Sequence, residues 1–230
     1  MSEDKEECLL WADVETNGTL PENRMIEIAF ILTNTSLTKE FARFSSVCIP
    51  HDFGSSPSRV KIVQKLYDDA DPFVKDMHTK NGLWEALKRV ETPYTKNLAL
   101  APWLKELLEE NNLSRPLLAG STVHFDLGVI QRELPDLAAL LHYRIFDVSS
   151  LKRAFEWWTD GIELPRVEGD AAHRALADIE YSLREARAIK AEFEEYFASV
   201  DDDYNDGFEE EDDPVADKEE SEDGPPGTEE

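Results

Sequence analysis

The chain has 230 residues, 41% of them hydrophobic and 10% aromatic, enough for a sizeable core in one domain or at most two small ones. Fifty acids oppose 24 Lys and Arg, a formal net charge of −26, and 16 of those acids lie in Asp201–Glu230 beside a single lysine. This balance excludes a broad basic groove that tracks a long duplex, but not a short nucleic acid held through metal ions.

No apolar run approaches the roughly 18 residues of a membrane span, and the acidic start Met1-Ser-Glu-Asp is unlike a signal peptide. The only cysteines, Cys8 and Cys48, sit in separate apolar runs, which argues against a disulfide framework and for a reducing cytoplasm, with no membrane partner.

In chain order, Cys8 to Val14 is short and apolar, a buried strand. Met25 to Thr33 alternates around Glu27 and becomes continuously apolar, a second strand; Phe41 to Ile49 is a third. Thr16-Asn17-Gly18-Thr19 and Asn34-Thr35-Ser36 have turn chemistry, so these strands form an antiparallel meander. Helical spacing follows at Ser58 to Asp68, Pro72 to Met77, Asn81 to Val90 and Pro93 to Glu110. Pro116 to Gly120 is a fourth strand. Phe125 to Leu134 is a helix and Leu137 to Leu141 a turn of one. Tyr143 to Val148 is a fifth strand, Ser149 to Trp158 a helix, and Ala171 to Phe197 a long closing helix. The predicted fold is α/β, a mixed five-stranded sheet flanked by helices. The last thirty residues, with little apolar area to offset ordering entropy, are expected to be a disordered acidic tail.

Three places carry candidate chemistry. Asp13-Val14-Glu15 ends the first strand, and alternation sends residues 13 and 15 to one side, so two carboxylates project together. Such a pair repels unless a cation lies between them, and a divalent ion with oxygen preference fits. Asp126 follows the buried run Leu117-Leu118-Ala119-Gly120 and opens a helix, where the dipole favours an anion. In Ala172-His173-Arg174-Ala175-Leu176-Ala177-Asp178, His173 is a candidate base near neutral pH and Asp178 a metal ligand; the plain alternative is an Asp178–Arg174 surface pair at i,i−4 spacing. The same spacing at His142…Asp147 falls in a strand-like run and puts the two on opposite faces, so that pair is rejected. Four converging carboxylates would hold two divalent ions, as in metal nucleases.

In this order, Asp13, Glu15, Asp126 and Asp178 with His173 resemble the DEDDh family of 3′→5′ exonucleases, of the ribonuclease H-like (DnaQ-like) fold. The segments LLWADVETNG, RMIEIAFILTN, MHTKNGL, HYRIFDVSSLK and AHRALADIEYSL resemble its oligoribonuclease branch, over about Cys8 to Phe197. The resemblance implies an exonuclease domain over residues 1–200, with the tail at 201–230. It implies hydrolysis of short single-stranded RNA, with DNA as a further substrate, to nucleoside 5′-monophosphates with two Mg²⁺ or Mn²⁺ ions. It also implies a homodimer; a partner for the tail stays unassigned. The alternative within the same fold is a proofreading or trimming exonuclease on longer single strands.

Substrate contacts carry over by position. Phe73 stands where the family stacks a Trp on a base, and a phenyl face still stacks. Thr122 and Phe125 replace a Ser and a Gln that cap the terminal phosphate; Thr can donate a hydrogen bond and Phe cannot. His78 matches a phosphate-side histidine, with a surface or capping histidine as the alternative. Tyr143 and Arg144 match residues near the substrate, Tyr143 being equally readable as a strand core residue. Thr16 opens the altered first loop. Trp103, Trp157 and Trp158 read as core or interface packing.

Overall fold

The structure is a computed structural model that describes residues 5–19, 22–49, 58–89, 96–159, 164, 166–169 and 172–205. Contacts divide the chain into two units, Met1–Glu192 and Phe193–Glu230. The sheet and the site belong to the first.

Strand β1 (Cys8–Thr16) pairs antiparallel with β2 (Met25–Asn34), which pairs antiparallel with β3 (Glu40–Val47). On the other side β1 runs parallel to β4 (Leu117–Gly120), and β4 runs parallel to β5 (Ile145–Asp147), giving the order β3-β2-β1-β4-β5. The expected meander and mixed five-stranded sheet are therefore present. The central strand is buried almost throughout, because both faces are covered.

The register sorts the two faces. Leu10 lies opposite Leu32 and Ala12 opposite Phe30; this face carries the main core, with Leu118 and the Phe30–Phe44 ring stack, centroids 6.4 Å apart. Against it pack Leu100, Leu104 and Leu108 of α4 (Lys96–Glu110), Val129 and Ile130 of α5 (His124–Glu133) and Leu137 of α6 (Pro135–Ala138). A smaller core joins Ile26 of β2 to Val63 and Leu66 of α1 (Arg59–Asp68) and to Leu83, Trp84 and Leu87 of α3 (Leu83–Arg89). Between α1 and α3 lies α2 (Pro72–Lys80), opened by Asp71, whose side chain accepts from Phe73 N, and by a proline at its first position.

The opposite face of β1 presents Leu9, Trp11, Asp13 and Glu15. Helix α7 (Val148–Trp158) follows β5, capped by Asp147 accepting from Ser150 N. Helix α8 (Ala175–Asn205) is tied to this second face by Arg174 on Glu27 of β2 and by Glu180 on Arg43 of β3, which pairs with Ile31 in the register.

Three expectations need correction. The fifth strand is only three residues long, so Tyr143 and Arg144 precede it; Tyr143 is 79% exposed and is not a strand core residue. Trp157 and Trp158 are 71% and 80% exposed, so of the two roles expected for them, core or interface packing, the core one falls away; Trp103 is half-buried against Phe44. The closing helix runs to Asn205, taking in the first five residues of the expected tail, because each added helical residue gains a backbone hydrogen bond. The rest of the tail, 206–230, lies outside the described residues.

Candidate active site

The site forms where β1 outruns its parallel neighbour. The β1–β4 pairing ends at Trp11–Ala119, and β4 stops at Gly120. Beyond that point the β1 backbone needs another acceptor on that side. Asp126 supplies it: its Oδ1 accepts from Val14 N at 2.8 Å. One bond thus fixes a carboxylate of α5 against the Asp13–Glu15 strand end, 112 residues earlier in the chain. The turn into α5 is pinned by Asp147, whose Oδ2 accepts from Val123 N at 3.1 Å and whose Oδ1 faces Thr122 N at 3.4 Å. Thr122 has φ +57°, a conformation β-branched residues seldom adopt.

Asp178 and His173 arrive from the start of α8. Glu15, His173 and Asp178 each offer one ligand atom, and these atoms all lie within 4.8 Å of one another. Asp13 lies within electrostatic reach of Asp126, Glu15 and Asp178. The structure therefore brings the four acids and the histidine together. The alternative for Asp178, a surface pair with Arg174, does not form: Arg174 binds Glu27, and Asp178 Oδ1 accepts from Ala172 N at 2.7 Å.

The electrostatics are those of crowded, buried anions. Burial, followed by the charge of Asp126, Glu15 and Asp178, holds the Asp13 carboxyl well above the carboxylate range. Burial and then Asp178, Glu27 and Asp126 push Glu15 up to about 8, with Arg174 opposing. Burial raises Asp126 to about 7 against the pull of its hydrogen bond from Val14. Asp178 is raised by burial too. Clustered carboxylates raised in this way are short of positive charge. The donor set, carboxylate oxygens and one imidazole, suits a hard divalent cation such as Mg²⁺ or Mn²⁺.

The expected substrate residues fall into two groups. Phe73, 72% exposed on the first turn of α2, Tyr143 and Arg144 are at the surface, with the Arg144 guanidinium 5.2 Å from the Tyr143 ring centre. Thr122 is also exposed, its hydroxyl 3.3 Å from that of Ser149. Thr16 and His78, in contrast, are buried. Thr16 Oγ1 donates to Gly18 O at 2.5 Å, and His78, at 0% exposure, puts Nε2 3.1 Å from Thr16 O and 3.6 Å from Glu15 Oε2. His78 is thus neither a surface histidine nor open to a phosphate in this structure; it props the end of β1 from beneath. Burial lowers its pKa, so it favours the neutral ring.

A groove of about 240 Å³ beside the site is lined by Thr16, Gly18, Asn23, His124, Phe125 and Arg132, among others. Two further buried polar residues frame the site. Asn17, assigned only to a turn, is 2% exposed; its side chain donates to Leu66 O and accepts from Arg24 N, tying the loop after β1 to α1. Glu27 is 3% exposed, directly opposite Glu15 in the register. A carboxylate within an otherwise apolar strand was the available signal.

Residues 10–186 match the family described as Exonuclease. The oligoribonuclease of Rhodococcus jostii is 32% identical over 189 residues, covering 78% of this chain and 84% of that one; that of Chromobacterium violaceum is 31% identical, covering 80% and 94%. Among solved structures, the zinc-bound form of an E. coli exonuclease I–single-stranded DNA complex superposes with a TM-score of 0.53 at 18% identity. The match covers 85% of this chain but 43% of that one, so the chain spans under half the length of exonuclease I and the likeness speaks for the fold. Fold and family together define a 3′→5′ exonuclease of the ribonuclease H-like type, a class that uses divalent metal ions. Within that class, the chain belongs to the oligoribonuclease family. Among the described residues, no helix is long and apolar enough to cross a membrane.

Proposed function

We propose that this protein is a 3′→5′ exoribonuclease that degrades short oligonucleotides to nucleoside 5′-monophosphates, with Asp13, Glu15, Asp126, Asp178 and His173 as its catalytic set. The observation that carries the site assignment is the convergence of Glu15, His173 and Asp178 beside Asp13 and Asp126 at the open end of β1. The four carboxylates would hold two Mg²⁺ or Mn²⁺ ions. When bound, the ions neutralise charge on the scissile phosphate and leaving oxygen and lower the pKa of the attacking water.

The chain's own residues supply the rest. His173, exposed beside Glu15 and Asp178, accepts the proton of the attacking water. Asp126 holds the Val14 backbone, so β1 and α5 keep their carboxylates in register. Phe73 presents a ring for a base to stack on; Thr122, Tyr143 and Arg144 offer hydroxyls and a guanidinium to the phosphates and sugar. Thr16 and His78 act from below, fixing the strand end. The net charge of −26 suits a short substrate, whose few phosphates the metal ions neutralise while longer anionic chains are repelled.

A homodimer is part of this reading; the exposed Trp157, Trp158 and Tyr143 support it, as large apolar side chains that a partner would cover. A cytoplasmic location fits the two free, buried cysteines. The test is a series of labelled RNA and DNA oligomers from about two to about twenty nucleotides, with Mg²⁺ or Mn²⁺. The expected result is mononucleotide release that is fastest on the shortest RNA. Faster turnover of the longest strands would instead assign a trimming exonuclease.

A further inference from the structure

We propose that Glu27 and Arg174 form a latch that positions His173 and Asp178, making Arg174 a positioning residue; this rests on the site assignment above. Glu27 lies on β2 opposite Glu15, and directly opposed residues of an antiparallel pair share a face, so a fifth acid stands beside the catalytic four. It is not available as a ligand in the same sense. Its Oε2 accepts from Arg174 Nε at 3.0 Å and from Ala175 N at 3.1 Å, and its Oε1 accepts from Arg174 Nη2 at 2.7 Å. The carboxylate thereby caps the first turn of α8 and spends its charge on a guanidinium in bidentate geometry.

The turn it holds is an unusual one. His173 has φ +50°, a left-handed conformation uncommon for a residue with a side chain, and such backbone persists only where the surroundings over-determine it. Three sets of contacts do so. Asn81 donates to His173 O, Ala172 N donates to Asp178 Oδ1, and the Glu27 bonds clamp the next two residues. Of these anchors only Glu27 is rooted in the sheet that also carries Asp13 and Glu15. The latch therefore references the His173 and Asp178 side chains to the β1 carboxylates, across 147 residues of sequence.

The experiment compares wild type with Arg174→Ala, Arg174→Lys and Glu27→Gln, reading kcat and KM on a dinucleotide, melting temperature, and amide exchange at Ala172 and Ala175. Ile189→Val, in the buried face of the same helix, is the control for general destabilisation. Arg174→Ala is expected to lower kcat about 10²-fold with KM changed less than about threefold, the scale on which misplacement of catalytic groups acts. Lys, which keeps the charge but not the fork, rescues only part, and added guanidinium restores part of the Ala variant's activity. Ala175 exchanges faster while the sheet amides do not. Loss of kcat no greater than the control at equal loss of melting temperature, or unchanged Ala175 exchange, overturns the latch. If wild type itself releases no mononucleotide, the functional reading fails, and the exchange result still decides whether Glu27 holds the turn.

Discussion

At the scale of single residues, the site works by placing acids where a polypeptide would ordinarily avoid them. Asp13 and Glu15 leave a buried strand on one side, and Asp126 is admitted because it satisfies the Val14 N–H that β4 does not reach. Exposed residues around this centre have a different task, and they should separate from it kinetically. Phe73→Ala removes a ring that is 72% exposed, so melting temperature should hold while KM for a dinucleotide rises about 5-fold, the low end of a base–aromatic stack. An unchanged KM would remove Phe73 from the substrate surface. Asp13, Glu15, Asp126, Asp178 and His173 were legible in the sequence because alternation, helix-start position and their order along the chain all bear on them. The role of Glu27 was not, and His78, though singled out, reads from the sequence as a phosphate-side residue rather than a prop beneath the strand; the partners that define the two roles, Arg174 and Thr16, lie 147 and 62 residues away.

Among the elements, the parallel β1–β4 pair is the joint on which the site depends. A Cβ built on Gly120 would come 3.0 Å from Ala12 O and 3.3 Å from Val123 Cγ2, both parts of the packed sheet end. Gly120→Ala should therefore push β4 from β1 and cost about 1–3 kcal/mol by overpacking, with a proportionate loss of activity through Asp126. Denaturant unfolding checks it; a wild-type midpoint would show that the joint has slack. The meander, the two later strands and most helices were readable from period and turn chemistry; the parallel pairing of those two strands comes from the structure. The ends were less so. Tyr143 and Arg144 have strand-like composition yet fall before β5, because pairing with β4 engages only Ile145, Phe146 and Asp147. The helical period starts α8 at Ala171, but the helix begins at Ala175, since the His173 backbone turns left-handed first.

For the molecule as a whole, four carboxyls held above their ordinary range link stability to pH and to metal. With the site free of metal, these four groups hold more protons in the folded chain than in the unfolded one between the ordinary carboxylate range and the value of about 8 reached by Glu15. A raised acid favours the fold while protonated, so its contribution is lost as pH rises through that window. Burial shifts His78 the other way, but it is one group against four. Melting temperature in chelator should fall from about pH 5 to about pH 8, and excess Mn²⁺ should offset the fall by binding only the folded site. A flat or rising profile in chelator would contradict this electrostatic picture.

The most direct measurement is release of nucleoside 5′-monophosphate from a labelled dinucleotide by wild type and Asp13→Asn, with Mn²⁺ and with chelator. Wild type should turn over only with metal. Asp13→Asn, with one of the crowded charges removed, should fold at least as stably and lose on the order of 10³-fold in rate. Substantial turnover by that variant, or by wild type in chelator, would contradict a reaction run through these four acids.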